Sequence, residues 1–242
     1  MIRTMSHERV GLITIDRPDR RNALDTEACR DLEAAVHKLA AGGDRCLVIT
    51  GAGTAFCSGA DLGGVYAEEF RTALYSMLAA ICALPIPVIA HVNGPAIGAG
   101  TQLAIAADLR IASTTARFAV PTAKLGLAVD GWTIRRLALL AGGGPARVML
   151  LGVDELSANA AVAFGLVQRL GSLDEALAWA TQIAGLAPMT LAYSKAALEC
   201  AFEPTFDDPL TASAFEEVWA STDFQEGQAA SREKRPPRFQ GR

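Results

Sequence analysis

The alternation of apolar strands and amphipathic helices over the N-terminal half constrains the fold of this chain most. Strand-like segments occupy residues 10–15, 46–50, 87–92 and 109–112. Between the first two, residues 26–41 carry apolar side chains at helical spacing and stop at Gly42, a typical helix C-cap. Beyond Asp130 the pattern is mostly helical, with one further strand over residues 166–170. This order predicts an α/β layered fold.

The composition supports a packed core and argues against several classes of partner. Of the 242 residues, 51% are apolar and 20% are charged, so the chain can bury a core. A net charge of −4 gives no general attraction for nucleic acid or for anionic membranes. No apolar run approaches the roughly 20 residues that span a bilayer, and residues 1–9 lack a secretion signal. The five cysteines form no C-x-x-C pair and the three histidines form no cluster, so we expect a cytoplasmic protein with free thiols and no structural metal.

Two turns built from small residues follow strands and lead into helices. One covers residues 58–61, and the other covers residues 97–100. Small residues let a ligand approach the backbone closely, and a helix N-terminus presents unpaired N–H groups on a partly positive dipole. Two such N–H groups converging from separate turns would form an oxyanion hole, which stabilises the oxygen of a polarised carbonyl. Packing alone is the other interpretation of each turn.

At these turns the chain resembles the crotonase (enoyl-CoA hydratase/isomerase) superfamily. The matching segments are residues 17–24, 55–62, 93–100, 107–112 and 233–239. The resemblance implies an α/β fold of the crotonase type, a spiral of ββα turns over residues 1–187. A C-terminal helical segment, residues 188–242, would build a homotrimer or a hexamer of paired trimers.

The resemblance also implies an acyl-CoA ligand, whose thioester oxygen would lie between the backbone N–H groups of Ala60 and Ala99. Coenzyme A is part of that ligand, so no separate cofactor is implied. Family hydratases carry one glutamate in the helix after the second turn and another about twenty residues later. Those positions are Gln102 and Thr122 here. Neither side chain can act as a carboxylate base, so the sequence argues against the two-carboxylate hydration mechanism.

One acidic residue remains a candidate for catalysis. Asp130 matches a position where some family isomerases and dehalogenases carry their working aspartate, and it also precedes a helix, where an aspartate serves as an N-cap. The two roles are compatible. Asp61 and Asp108 are interpreted as caps or backbone ties, and His91, inside an apolar strand, as a hydrogen-bonded core residue.

Several other residues are candidates for binding the ligand. Tyr66, Phe70, Leu74 and Trp132 would line an acyl-tail pocket or belong to the core. Arg20 and Arg21 would face the phosphates of coenzyme A or be solvated surface. The family pattern places Phe215 and Lys234 at the adenylate end, donated by a neighbouring subunit.

The sequence therefore leaves two alternative functions. The first is an enoyl-CoA hydratase or isomerase of fatty-acid metabolism with Asp130 as its acid or base. The second is a non-catalytic protein that binds acyl-CoA and presents it to a lipid-synthesis enzyme. The replacement of both glutamates favours binding, or a reaction other than hydration, whereas Asp130 keeps catalysis open.

Overall fold

A computed structural model describes residues 1–61, 68–200 and 218–240, and it has the predicted α/β architecture. Six strands form the main sheet in the order β1 (Ile2–His7), β2 (Val10–Ile15), β3 (Cys46–Gly51), β4 (Val88–Val92), β6 (Leu109–Ala112) and β9 (Arg169–Leu170). Only the β1–β2 pair in this sheet is antiparallel. The second sheet contains β5 (Pro95–Ile97), β7 (Arg117–Ala119) and β8 (Leu156–Ser157).

Helices lie between and after the strands. They are α1 (Thr26–Ala41), α2 (Glu68–Ala83), α3 (Ala99–Ala106), α4 (Gly131–Ala141), α5 (Gly143–Arg147), α6 (Ala158–Ala163), α7 (Leu173–Ala184), α8 (Pro188–Cys200) and α9 (Thr222–Glu233). Within the described ranges, no helix combines the length and the apolar character that a membrane crossing requires.

The central strands are buried throughout because both of their faces are covered. All residues of β3 and β4 are buried. Leu47 and Ile49 of β3 belong to the large core that also contains the inner faces of α1, α2 and α3. Cys46 and Val48 point the other way, into a smaller core shared with α7. The alternation of strand side chains thus places helices on both sides of the sheet.

The sequence predicts the long elements better than the short ones. The predicted bounds of β2 and α1 agree with the structure, and Asp25 caps α1 by accepting a hydrogen bond from the Ala28 N–H. Of the strand predicted over residues 166–170, the structure has only β9, Arg169–Leu170. The range 146–151, predicted as one helix, is helical but divided, since α5 ends at Arg147 and a π-helical turn, Val148–Gly152, follows.

Two buried ion pairs connect α8 to the core. The Lys195 ammonium lies 2.9 Å from the Asp108 carboxylate and donates to the carbonyls of Ile81 and Ile86. Asp108 also accepts from the Val88 N–H at 2.7 Å, which confirms its role as a backbone tie. One turn further along α8, Glu199 accepts two hydrogen bonds from the Arg136 guanidinium, at 2.7 and 2.9 Å.

Candidate functional site

The two small-residue turns are joined side by side through their backbones. Cys57 and Ala96 form a parallel bridge, in which the Ile97 N–H donates to the Cys57 carbonyl at 3.0 Å and the Cys57 N–H donates to the Pro95 carbonyl at 3.1 Å. Ala60 and Ala99 each lie three residues beyond the bridged pair. The two turns therefore run side by side in the same direction, and Ala60 and Ala99 occupy corresponding positions in them.

Glycines at positive φ shape both turns immediately before the two alanines. Gly59 has φ +108° and Gly98 has φ +54°, a region that L side chains rarely adopt. A Cβ on Gly59 would also lie 2.9 Å from the Ile97 carbonyl oxygen. Glycine at these positions allows the backbone conformation that precedes each alanine.

The N–H groups of Ala60 and Ala99 have no hydrogen-bond acceptor among the described residues. Ala99 begins α3, where an N–H has no partner within the helix. The groups on either side of Ala60 are held by Leu24, whose N–H donates to the Gly59 carbonyl at 2.8 Å and whose carbonyl accepts from the Asp61 N–H at 2.6 Å. Both alanine N–H groups are thus available to a ligand.

A cavity of about 270 Å³ lies where these turns meet. Ala60 and Ala99 line it together with Phe70 and Leu74 of α2, as expected for an apolar pocket. Gln102 and Thr122 also line it. Among the described residues, no aspartate or glutamate contributes to the lining. The cavity can polarise a carbonyl through backbone donors, but its described walls offer no carboxylate.

Asp130 lies behind the cavity wall, with 2% of its surface exposed. It caps α4 by accepting from the Thr133 N–H at 2.9 Å, and it also accepts from the Thr133 hydroxyl at 2.7 Å and from the Gln102 amide at 3.0 Å. The Tyr75 hydroxyl donates to the same carboxylate. Burial raises the pKa of Asp130. The capping role is confirmed, and the four donors occupy the oxygens of this carboxylate.

The segment that carries Arg20 and Arg21 packs against the first turn. The Ser58 N–H donates to the Arg21 carbonyl at 3.0 Å, and the Ser58 hydroxyl donates to the Arg20 carbonyl at 3.3 Å. Both arginines are exposed. Arg20 pairs with Asp61 at 2.7 Å, so the Asp61 side chain is an ion-pair partner. The residues that it would cap as a helix N-cap lie outside the described ranges.

Four further predicted residues have different outcomes. Trp132 is 1% exposed and packs in the core beside Arg136, and it is not among the described residues that line the cavity, which favours the core interpretation. Lys234 is exposed and ends α9 in the left-handed conformation. Phe215 lies outside the described residues, as does Tyr66.

His91 is a core residue, as predicted. It is 5% exposed, and its Nδ1 lies 2.9 Å from the Thr50 hydroxyl. Burial lowers the pKa of its imidazole, which favours the neutral ring. Its position inside β4 keeps it away from the cavity lining.

Sequence reasoning missed several cavity residues, among them Arg71, Tyr75 and Trp219. Arg71 and Tyr75 follow Phe70 and Leu74 by one position each, so a helical projection would have placed them on the adjacent stripe of α2. The Arg71 guanidinium stacks on Trp219, 4.5 Å from the ring centre. That contact joins residues far apart in sequence, and no local pattern indicates it.

Comparisons with known proteins agree with the fold and with the family resemblance. The family model described as Enoyl-CoA hydratase/isomerase matches residues 6–242. The probable enoyl-CoA hydratase echA6 of Mycobacterium tuberculosis is 45% identical over 244 residues, covering 100% of both chains. A crystal structure of an enoyl-CoA hydratase/isomerase from Pseudoalteromonas atlantica superposes with a TM-score of 0.88 at 30% identity, covering 99% of each chain. Methylmalonyl-CoA decarboxylase complexed with 2S-carboxypropyl-CoA gives a TM-score of 0.91 over 100% of this chain and 98% of that one, but at 24% identity the likeness concerns the fold alone.

Proposed function

Because the chain belongs to the enoyl-CoA hydratase/isomerase family, we propose that it binds fatty acyl-CoA thioesters with the carbonyl oxygen between the N–H groups of Ala60 and Ala99. The observation that supports this proposal is the meeting of two unpartnered backbone donors at one largely apolar cavity. Such a site recognises a carbonyl oxygen by geometry and leaves room beside it for an acyl chain.

The same site is poorly equipped to add water to a 2-enoyl thioester. That reaction needs a base to activate water and an acid to protonate carbon 2. Gln102 and Thr122 stand where family hydratases carry glutamates, and neither ionises near neutral pH. We propose that the protein holds the thioester without hydrating it and presents it to a lipid-synthesis enzyme in the cytoplasm.

Isomerisation through Asp130 is the second candidate function. Burial raises the pKa of this carboxyl group toward the range in which it could exchange protons. Two side chains that line the cavity donate to Asp130, namely the Tyr75 hydroxyl and the Gln102 amide. Asp130→Asn would then abolish double-bond migration in a 3-enoyl-CoA, whereas a capping role alone leaves any turnover unchanged.

The coenzyme A end of the ligand is proposed to lie on the surface beside the first turn. Arg20 and Arg21 flank Ser58 there, and the Arg20 side chain is 64% exposed even while it pairs with Asp61. Both could reach the phosphates. Lys234 and Phe215 are proposed to contact the adenylate, contributed by a neighbouring subunit.

We expect acyl-CoA to stabilise the fold. A ligand at about 100 times its Kd adds roughly 2.7 kcal/mol to the free energy of unfolding. Thermal unfolding with C4 to C20 acyl-CoAs measures this, and free coenzyme A is the ligand control. Leu74→Trp, which fills the cavity, should abolish the shift, whereas Leu151→Trp at an exposed position should retain it. Identical melting temperatures with and without every acyl-CoA would contradict the proposal.

We also expect a trimer or a hexamer. Met189, Tyr193 and Leu198 on α8 are 85%, 75% and 64% exposed in the single chain. An apolar surface of this kind is typical of a subunit interface. Light scattering at micromolar concentration should give three or six subunit masses, and a mass of one subunit would show that this surface is not an interface.

A further inference from the structure

The loop between β3 and the first turn is held by a buried asparagine from the segment before α1. Asn22 is 0% exposed, and its amide nitrogen donates to the carbonyls of Ala52 at 2.8 Å and Ala55 at 2.7 Å. Its Oδ1 accepts from the Arg17 N–H at 2.9 Å. All three partners are backbone groups of fixed polarity, so the orientation of this amide is determined and both of its hydrogens are used.

A second asparagine holds the same loop from the other side. Asn93 directly follows β4 and leads into the second turn. Its amide nitrogen donates to the carbonyls of Gly53 at 3.0 Å and Ala55 at 3.4 Å, and its Oδ1 accepts from the Gly51 N–H at 3.2 Å. The Ala55 carbonyl therefore accepts from Asn22 and from Asn93, which joins three segments that are distant in sequence.

The loop and the first turn pack directly against the backbone of the second turn. A Cβ on Gly94 would clash with the carbonyl oxygen of Thr54, and a Cβ on Gly100 would clash with the carbonyl oxygen of Cys57. Glycine is therefore required at both positions for the backbones to approach this closely. Gly100 follows Ala99, so a displacement of the loop and the first turn changes the surroundings of the Ala99 N–H.

The segment that carries Asn22 also holds the backbone on both sides of Ala60. Leu24, two residues beyond Asn22, donates to the Gly59 carbonyl and accepts from the Asp61 N–H. Backbone donors stabilise a carbonyl oxygen only when they lie about 2.7–3.1 Å from it. Both donors must therefore be held at a fixed separation if they are to bind one oxygen.

Given the proposed function, on which this step rests, we infer that Asn22 and Asn93 are positioning residues for the two backbone donors. By holding one loop from opposite sides, they set the separation of the Ala60 and Ala99 N–H groups. Neither asparagine is among the described residues that line the cavity, so both act through the backbone. A purely structural role would change the stability of the fold, whereas a positioning role also changes the strength of the hydrogen bonds to the thioester oxygen.

Two variants test this inference through the carbonyl stretching frequency of bound 2,4-hexadienoyl-CoA, which hydrogen bonds to the oxygen lower. Asn22→Gly permits the φ of +58° at this position and removes the amide. Asn93→Asp keeps the acceptor for the Gly51 N–H and replaces the donor with an oxygen. Each variant should reverse part of the lowering and weaken hexadienoyl-CoA binding roughly two- to tenfold, the usual effect of one neutral hydrogen bond. Calorimetry should show unchanged binding of free coenzyme A.

Ser172→Ala is the matched control for a general loss of stability. It removes the capping box of α7, which packs on the other face of the main sheet, so it should lower the melting temperature and leave the frequency unchanged. Asn93 is only half-buried, so Asn93→Asp decides the question even if Asn22→Gly does not fold. A wild-type frequency in folded Asn93→Asp, or an equal change in Ser172→Ala, would overturn the inference and leave the proposed function intact. An unshifted carbonyl in the wild type would overturn the proposed function itself.

Discussion

Crotonyl-CoA should be hydrated by this protein at least about 10⁴-fold more slowly than by a hydratase with two glutamates, taking about 10² for each lost acid or base. The described residues that line the cavity include Gln102 and Thr122 and no carboxylate. Mass spectrometry of the thioester after incubation measures the rate. Fast hydration by the wild type that survives Asp130→Asn would refute this account of the site.

The effect of glutamates at positions 102 and 122 on the hydration rate depends on Asp130. In Gln102→Glu, two carboxyl groups would meet where an amide now donates to Asp130 at 3.0 Å, and mutual repulsion would keep one of them protonated. The pair Gln102→Glu with Thr122→Glu should therefore gain little activity. Adding Asp130→Asn, which supplies a donor to the carboxylate introduced by Gln102→Glu, should raise the rate. A triple variant no faster than the double variant would mean that the cavity does not position water.

The buried ion pairs of α8 predict the largest effect on stability. Asp108→Ala leaves the Lys195 ammonium, whose side chain is 5% exposed, without its carboxylate. Breaking a buried pair in this way typically costs about 3–5 kcal/mol. Urea unfolding should show a loss of that size. The double change Asp108→Ala with Lys195→Met should be less destabilising than Asp108→Ala alone, because no charge is left buried.

The surface pair of Arg30 and Glu69 supplies the matched control. Their side chains are 61% and 66% exposed, and the charged groups lie 2.8 Å apart. Exposed pairs contribute about 0–1 kcal/mol. Glu69→Ala should therefore change the free energy of unfolding far less than Asp108→Ala. Equal losses in the two variants would show that α8 is not held by its buried charges.

The sequence predicts the parts of the site that local patterns determine. The small residues mark the two turns, and a capping aspartate is recognisable at Asp130. The family resemblance then singles out Ala60 and Ala99 within these turns. The family resemblance adds Gln102 and Thr122, which the structure places on the cavity. These features lie within short segments, so few long-range contacts are needed to interpret them.

The sequence does not predict the contacts between distant segments. Helical spacing alone does not distinguish a pocket residue from a core residue, and Trp132 proves to be core whereas Leu74 lines the cavity. The pairing of Lys195 with Asp108 joins residues 87 positions apart, and no composition or periodicity predicts it. Strand β1 is not predicted from the sequence. It lies at a sheet edge, and all of its residues except the half-buried Ile2 are exposed, so it lacks an apolar alternation.

The carbonyl stretching frequency of bound 2,4-hexadienoyl-CoA tests the central claim most directly. Two hydrogen bonds from Ala60 and Ala99 should lower this frequency relative to the free thioester in water. Ala99→Pro removes one donor at a helix position that accepts proline and should reverse part of the shift, whereas Ala99→Ser keeps the N–H and should retain it. The account predicts a lowered frequency in the wild type and in Ala99→Ser. An unshifted carbonyl in a tightly bound complex would show that the thioester lies elsewhere.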